Sequence, residues 1–223
     1  MKRSFQCAFG MAALLVSSSA FAQTFGEKGQ LGISAERLFG FYHQSSTETV
    51  AGVENKTTVD SFSLLTPSLG GTAVGFFGAP RVAGDYFVID HLSLGGAIGY
   101  SHFSAGSTAP NGATTSVGYD SFLFAPRVGW AYMFNDIVGI WPRAGFTYVT
   151  YNPVNDSEHI FAFTAEVPFV FTVIPHVAFW AGPTLDLGIT GSHNQTTGAI
   201  TQSNDLNATE IGIQTGMTAY LNL

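Results

Sequence analysis

Taken two residues at a time, residues 121–134 separate into an apolar set and a mainly small one. Phe122, Phe124, Pro126, Val128, Trp130, Tyr132 and Phe134 alternate with Ser121, Ala125, Arg127, Gly129 and Ala131. A period of two is the signature of a β-strand, whose successive side chains point to opposite faces. Asn135-Asp136 interrupts the pattern, which resumes with Val138, Ile140, Ala144, Phe146 and Tyr148 against Gly139, Arg143, Gly145 and Thr147. That arrangement predicts a hairpin closed by a tight polar turn. A face made of Gly, Ala, Ser and Thr with an isolated Arg is poor covering for a water-facing surface. It suits the narrow bore of a barrel whose aromatic face meets lipid.

The same alternation predicts strands over residues 30–42, 74–89, 92–103, 159–173, 177–189 and 209–223, which with the central hairpin makes eight. Residues 57–65 read as a β extension of a hairpin standing above the membrane, with an additional strand as the alternative. Connections alternate between long and polar (43–73, 105–117, 152–158, 191–207) and very short (90–91, 135–136, 174–175). Long loops outside and tight turns inside are the asymmetry of outer-membrane barrels. An even strand count puts both termini on the short-turn side.

Two features strain the pattern. Arg37 falls on the lipid side of the first strand, where an Arg near mid-bilayer costs ~2–4 kcal/mol, so a bulge that turns it away is favoured over a snorkelling side chain. Ala79-Pro80-Arg81-Val82 recurs as Ala125-Pro126-Arg127-Val128, with Trp141-Pro142-Arg143-Ala144 a looser copy. A closed ladder has no free edge for a missing donor, so bulges are expected at these prolines.

Composition sharpens the picture. Charged residues are 10% and aromatics 14% of 223 residues, far from the roughly one-quarter charged content of soluble domains. Lys2 and Arg3, the apolar run 5–16 and Ala20-Phe21-Ala22 predict a signal peptide over residues 1–22, leaving a β domain over residues 23–223. The apolar run is shorter than the ~20 residues of a spanning helix. Cys7 is the only cysteine and lies in the segment expected to be removed, so no disulfide or thiol chemistry is expected. The formal charge of −7 becomes −9 without Lys2 and Arg3, which argues against nucleic acid as a partner.

With these features the chain resembles the bacterial outer-membrane β-barrel domain family in its small eight-stranded form. The resemblance covers residues 23–223 and implies an all-β, antiparallel, up-and-down transmembrane barrel in the outer membrane, a monomer in contact with lipid. It implies no activity.

Chemistry is sparse. Glu36, Arg81, Asp85, Arg127, Arg143, Glu166, Asp186 and Glu210 fall on the lumen face, where buried charges need partners. An ion-pair ladder filling the bore is the structural reading, and a narrow gated pore or small-molecule transport barrel the alternative. His102-Phe103-Ser104 resembles the His-x-Ser pair of outer-membrane lipid A deacylases. A hydrolase also needs an acid to orient the His, and Asp120 is the nearest candidate. His43, His91, His159, His176 and His193 lack ligand spacing, so no metal or other cofactor is expected. The expected role is structural or at the cell surface, without catalysis, with the four long loops meeting any extracellular partner.

Overall fold

The computed structural model describes residues 24–64, 77–108, 114–153, 156–197 and 200–223. Its strands are β1 (Gln30–Val50), β2 (Val53–Leu64), β3 (Arg81–Ile89), β4 (Leu92–Thr108), β5 (Thr114–Trp130) and β6 (Tyr132–Met133). They continue with β7 (Val138–Ile140), β8 (Arg143–Pro153), β9 (Asp156–Glu166), β10 (Phe169–Ile174), β11 (Val177–Thr197) and β12 (Ile200–Asn222). β5 with β6, β7 with β8 and β9 with β10 each form one stave, and β2 pairs with β1 only beyond the end of β3, so the wall at the level of β3 has eight staves. All neighbours are antiparallel, and β1 pairs with β12 from Gln30↔Asn222 to Thr49↔Asp205, closing the barrel.

The faces fall as the alternation predicts. Phe122, Phe124, Val128, Trp130, Tyr132 and Phe134 are exposed, as are Ile98, Tyr100, Ile211 and Ile213 around the wall, while Leu123, Ala125 and Ala131 are buried inside. No helix among the described residues is long and apolar enough to cross a membrane. In a closed barrel the elements able to cross are strands.

The turns form where expected, with one shift. Asn135 Oδ1 accepts from the amides of Ile137 (2.9 Å) and Val138 (2.8 Å), the way an Asn side chain stands in for backbone in a tight turn. Asp90-His91 turns with His91 at φ 72°. The third turn falls on Pro175-His176, one residue later than predicted, with His176 at φ 63° and Ile174 paired to Val177.

Most of the predicted loops are strands. β1 runs through residues 43–50 and meets β2 at Ala51-Gly52, both at positive φ, with pairing from Val50↔Val53 to Phe39↔Leu64. Of the β extension expected over residues 57–65, residues 57–64 belong to a hairpin arm laid on β1, and residue 65 lies outside the described residues. Similarly, β4 and β5 pair out to Thr108↔Thr114, and β11 and β12 to Thr197↔Ile200. Thr, Val and Ser in these polar runs tolerate an extended backbone well, and pairing to a neighbour already in place carries the ladder outward.

The prolines interrupt the wall without bulging it. Pro126 keeps its place opposite Gly96, while on the other side the ladder lapses between Phe124↔Tyr148 and Arg127↔Gly145 without changing register. Pro80 precedes β3, so this stave begins at Arg81; residues 74–76 of the predicted strand lie outside the described residues, as does the segment expected to be cleaved. Pro142 and Pro168 separate β7 from β8 and β9 from β10, and their carbonyls still accept from Trp130 and Trp141, each at 2.9 Å. A ring without an N–H removes a donor but leaves the acceptor, so the wall holds together through the carbonyls.

A true bulge does occur at Arg37. Between Glu36 and Phe39 the register of β1 against β12 shifts, and Arg37 takes φ 53° and turns into the bore, fully buried.

Candidate functional site

The bore is filled in layers. At the short-turn end Phe25, Phe87, Trp141, Trp180 and Tyr220 pack with Ala131, Val170 and Ala178. Phe25 lies at the centre, edge-on to Trp141 (5.1 Å), Phe87 (5.4 Å) and Tyr220 (5.4 Å). This aromatic floor was not expected of a bore lined with small and polar residues. It is possible because Gly129 lies against Trp141 and Gly216 against Trp180, so each indole lies where its neighbouring stave carries no side chain.

Above the floor lie the charges, and all eight lumen residues predicted from the sequence are brought together there. Glu36 is the hub. Its Oε1 accepts from Arg127 Nη2 (2.7 Å) and Arg143 Nη1 (2.7 Å), and its Oε2 from Arg127 Nη1 (2.8 Å) and Arg81 Nε (3.1 Å). Arg127 also donates from Nε to Asp85 at 3.0 Å, Arg81 donates to Glu166 at 2.6 Å, and Arg143 pairs with Glu166 at 2.7 Å. The guanidinium of Arg143 lies between two indoles, 4.6 Å from Trp141 and 4.5 Å from Trp180. Arg37, delivered by the bulge, is the member that sequence reasoning missed. It donates to Asp186 (2.8 Å), to Glu210 (3.0 Å) and to the Phe77 carbonyl.

The side chains come from every stave except β4, whose inward positions at this level are Gly95, Ala97 and Gly99. A side chain at Gly95 would meet the Asp85 carboxylate. Four arginines thus face five carboxylates, all buried, in charge-assisted hydrogen bonds of the strong kind. A third layer, of Phe77, Leu123, Val149, Ile160, Leu206 and small alanines, packs above them.

Farther out, on the inner wall of the strand extensions, Glu48 Oε1 accepts from His193 Nδ1 (2.8 Å) and Asn204 Nδ2 (2.9 Å). His193 Nε2 lies 3.7 Å from Glu158. Burial holds the Glu158 carboxyl above its usual range, against the opposing pull of His193. A carboxyl whose folded pKa is raised binds its proton more tightly when folded, so its contribution to stability grows as pH falls and is lost as pH rises through the folded value. Amide-exchange protection of the outer parts of β9 and β11, corrected for intrinsic rates, is therefore expected to be higher at about pH 5 than at about pH 8. Equal protection at the two values would refute that coupling.

On the outer face, His102 Nδ1 lies 2.9 Å from Asp120 Oδ1, which also accepts from the Tyr100 hydroxyl at 2.9 Å. The acid that the sequence left open is thus Asp120, directly across from His102 in the β4–β5 register. Ser104 is exposed on the same face. A second pair of this kind occurs at His43 and Asp60, 2.7 Å apart across β1 and β2 and also directly opposed. Both pairs stand where an outward apolar run ends, after Phe41 and Phe62 in one case and Tyr100 and Phe122 in the other. They mark a polar rim.

The wall changes partners between these two pairs. Up to Glu36↔Arg81 and Val82↔Ile98, β3 bridges β1 and β4. Above that level, among the described residues, β1 pairs instead with β2, while β4 from Gly99 outward is paired only to β5. A cavity of about 30 Å³ lies at this seam, touching Pro80, Gly99, the outward Tyr100 and the inner-layer Leu123.

No known protein family and no curated protein matches the sequence. Similarity appears in three dimensions. The outer membrane protein OprG from Pseudomonas aeruginosa superposes with a TM-score of 0.54 over 90% of this chain and 100% of its own, at 9% identity. The outer membrane protein AlkL, solved in lipid bilayers, gives 0.51 over 93% and 97%, at 11% identity. At so low an identity these likenesses establish the fold of small outer-membrane barrels.

Proposed function

We propose that this outer-membrane β-barrel is a sealed anchor whose work is done at the cell surface. The observation that carries the reading is the bore, closed by three successive layers of aromatic, ionic and apolar side chains. A filled interior is what eight staves allow. The mass that remains available is outside: β12 alone has 23 residues, roughly 75 Å along the strand at ~3.3 Å per residue, whereas the apolar band of such barrels is only ~25 Å tall. Paired strands carry Thr, Ser, Asn and Gln side chains well beyond the lipid, on a stiff support that keeps a contact surface preformed.

In a planar bilayer the purified protein is expected to give no discrete conductance steps. Shortening the β1–β2 hairpin to a tight turn after Ser45 is expected to leave the barrel folded and to reduce attachment of cells to surfaces or host material. Regular current steps from the intact protein would overturn the sealed-bore part, and unchanged attachment would overturn the surface part.

A second reading draws on the seam beside β4 at the level of Pro80 and Gly99. There the inner apolar layer, through Leu123, comes within one cavity of about 30 Å³, the size of a water molecule, of the lipid-facing Tyr100, and widening at this point would open a sideways path into the membrane that does not cross the ionic layer. Faster entry of an apolar dye into cells carrying the barrel, slowed by Gly99→Phe, is the expected result; entry equal to that of cells without the barrel excludes it.

A further inference from the structure

The ionic layer is one positive charge short. Arg37, Arg81, Arg127 and Arg143 face Glu36, Asp85, Glu166, Asp186 and Glu210, and no side chain among them is more than 5% exposed. The rest of the chain holds nothing to balance the fifth carboxylate. Of its 8 Lys and Arg residues, Lys2 and Arg3 fall in the segment expected to be cleaved, while Lys28 and Lys56 are exposed at opposite ends of the wall. His193 is engaged by Glu48 farther out, and the other histidines lie at the short turns or on the outer wall. The amino terminus that cleavage would leave adjoins Thr24, whose carbonyl is tied to Gln30 at the short-turn end. Residues 65–76, 109–113, 154–155 and 198–199 include no charged residue. A buried charge without a counter-charge is so costly that it is neutralised instead.

The contacts single out the carboxylate concerned. Glu36 accepts from three arginines, Glu166 pairs with Arg81 and Arg143, Asp85 takes both Nε and Nη2 of Arg127, and Asp186 takes Arg37 and the Thr164 hydroxyl. Glu210 has only a share of Arg37 through Oε1, and its Oε2 has no hydrogen-bond partner among the described residues. Two more buried polar groups stand beside it in the same condition. The next inward positions of β12 are Gly212 and Gln214, and the Tyr42 ring lies against Gly212. Neither the Tyr42 hydroxyl nor either end of the Gln214 amide has a hydrogen-bond partner among the described residues. We propose that the closed barrel takes up one monovalent positive charge from solution and holds it at Glu210, as a proton or as an alkali ion. A divalent ion has the wrong charge, since it would leave the layer net positive. Unpartnered polar groups inside a native protein mark the place of a bound water or ion, and here that place coincides with the missing charge. Arg37 and Tyr42 of β1, Asp186 of β11, Arg81 of β3 and Glu166 of β9 are the charged and titratable groups around it. The assignment rests on the bore and is independent of what the extracellular extensions bind.

The test is the urea unfolding equilibrium of the full barrel in lipid vesicles, followed against pH at fixed sodium and against sodium at fixed pH, with N-methylglucamine holding the ionic strength. One charge bound on folding changes the unfolding constant by up to about tenfold per pH unit, or per tenfold change in sodium. If a proton is held, the wild type loses stability as pH rises from about 6 to about 8, because folded Glu210 keeps a proton that the unfolded chain has released. The infrared carbonyl band of a carboxylic acid then accompanies the folded state. If an alkali ion is held, stability rises with sodium and that band is missing. In either case Glu210→Gln, a neutral side chain of the same shape, is expected to remove the dependence. Gln214→Lys, which supplies the missing charge from the chain itself, is expected to do the same. Heat-modifiable gel migration verifies folding of each variant. Wild-type curves parallel to those of both variants, in pH and in sodium alike, would show that nothing is bound at Glu210 and overturn the proposal.

Discussion

Glu36→Ala is expected to destabilise the barrel by about 3–5 kcal/mol, the cost of leaving buried charges without their partner. Its carboxylate is shared by Arg81, Arg127 and Arg143, and each of its contacts is 3.1 Å or shorter. With it gone, three guanidinium groups remain in a bore that offers Asp85 and Glu166 as the nearest anions, and they repel one another where solvent cannot screen them. In urea the unfolding midpoint should fall by at least about 1 M, and a shift under about 0.3 M would show that the ionic layer does not hold the staves together. Glu210→Gln provides the internal comparison. Carboxylates outnumber arginines in the layer, Arg37 keeps Asp186, and Glu210 Oε2 has no hydrogen-bond partner among the described residues. That substitution should cost under about 2 kcal/mol, on the scale of a single hydrogen bond and its desolvation. The order of the two variants is therefore the diagnostic quantity.

Trp141→Ala is the second large effect. The side chain is fully buried, packs edge-on to Phe25, donates from Nε1 to Ser93 at 3.1 Å and forms one side of the slot holding Arg143. Truncation leaves a cavity that the rigid neighbouring staves cannot close, with an expected cost of about 3–5 kcal/mol. Trp130, one stave away, points outward and is 47% exposed. Trp130→Ala should cost under about 1 kcal/mol, as for surface positions that fill no cavity. Both can be read as the temperature at which the compact form is lost on a gel. Similar losses for the two would mean that the bore is not a packed core.

The contrast between these two tryptophans shows how far the residues speak for themselves. Parity along residues 121–148 correctly separates lipid-facing Phe122, Phe124 and Trp130 from inward Arg127 and Gly129. The same parity places the eight lumen charges inside. Asn135 and the Asp90-His91 pair mark the turns through local chemistry alone, because an Asn side chain can complete a turn by itself. Which charges meet was hidden. Glu36 and Arg143 are far apart in sequence, and only the order of staves and their registers bring them to one level.

Three further features depended on the same nonlocal information. The misfit of Arg37 on the first strand predicts a bulge, and the shift between Glu36 and Phe39 supplies it, but its partners Asp186 and Glu210 lie on distant staves and were hidden. Residues 43–50 are polar enough to pass for a loop, yet pairing with β12 on one side and β2 on the other makes them strand. The aromatic floor requires that Gly216 face Trp180, a pairing set by register rather than by either residue.

What the sequence determined by itself is local and periodic: an all-β chain, the face each side chain takes, the positions of the tight turns, and a lipid-facing exterior around a charged bore. These follow from an alternation of two and from turn chemistry, both of which act over a few neighbouring residues. The tertiary structure alone decided which side chains fill the bore in layers, that Glu36 is the hub of three buried arginines while Arg37 turns to Asp186 and Glu210, and that His43 and Asp60 face each other across β1 and β2. Those outcomes depend on which staves become neighbours and at what stagger, a choice made by the free energy of the closed ladder as a whole.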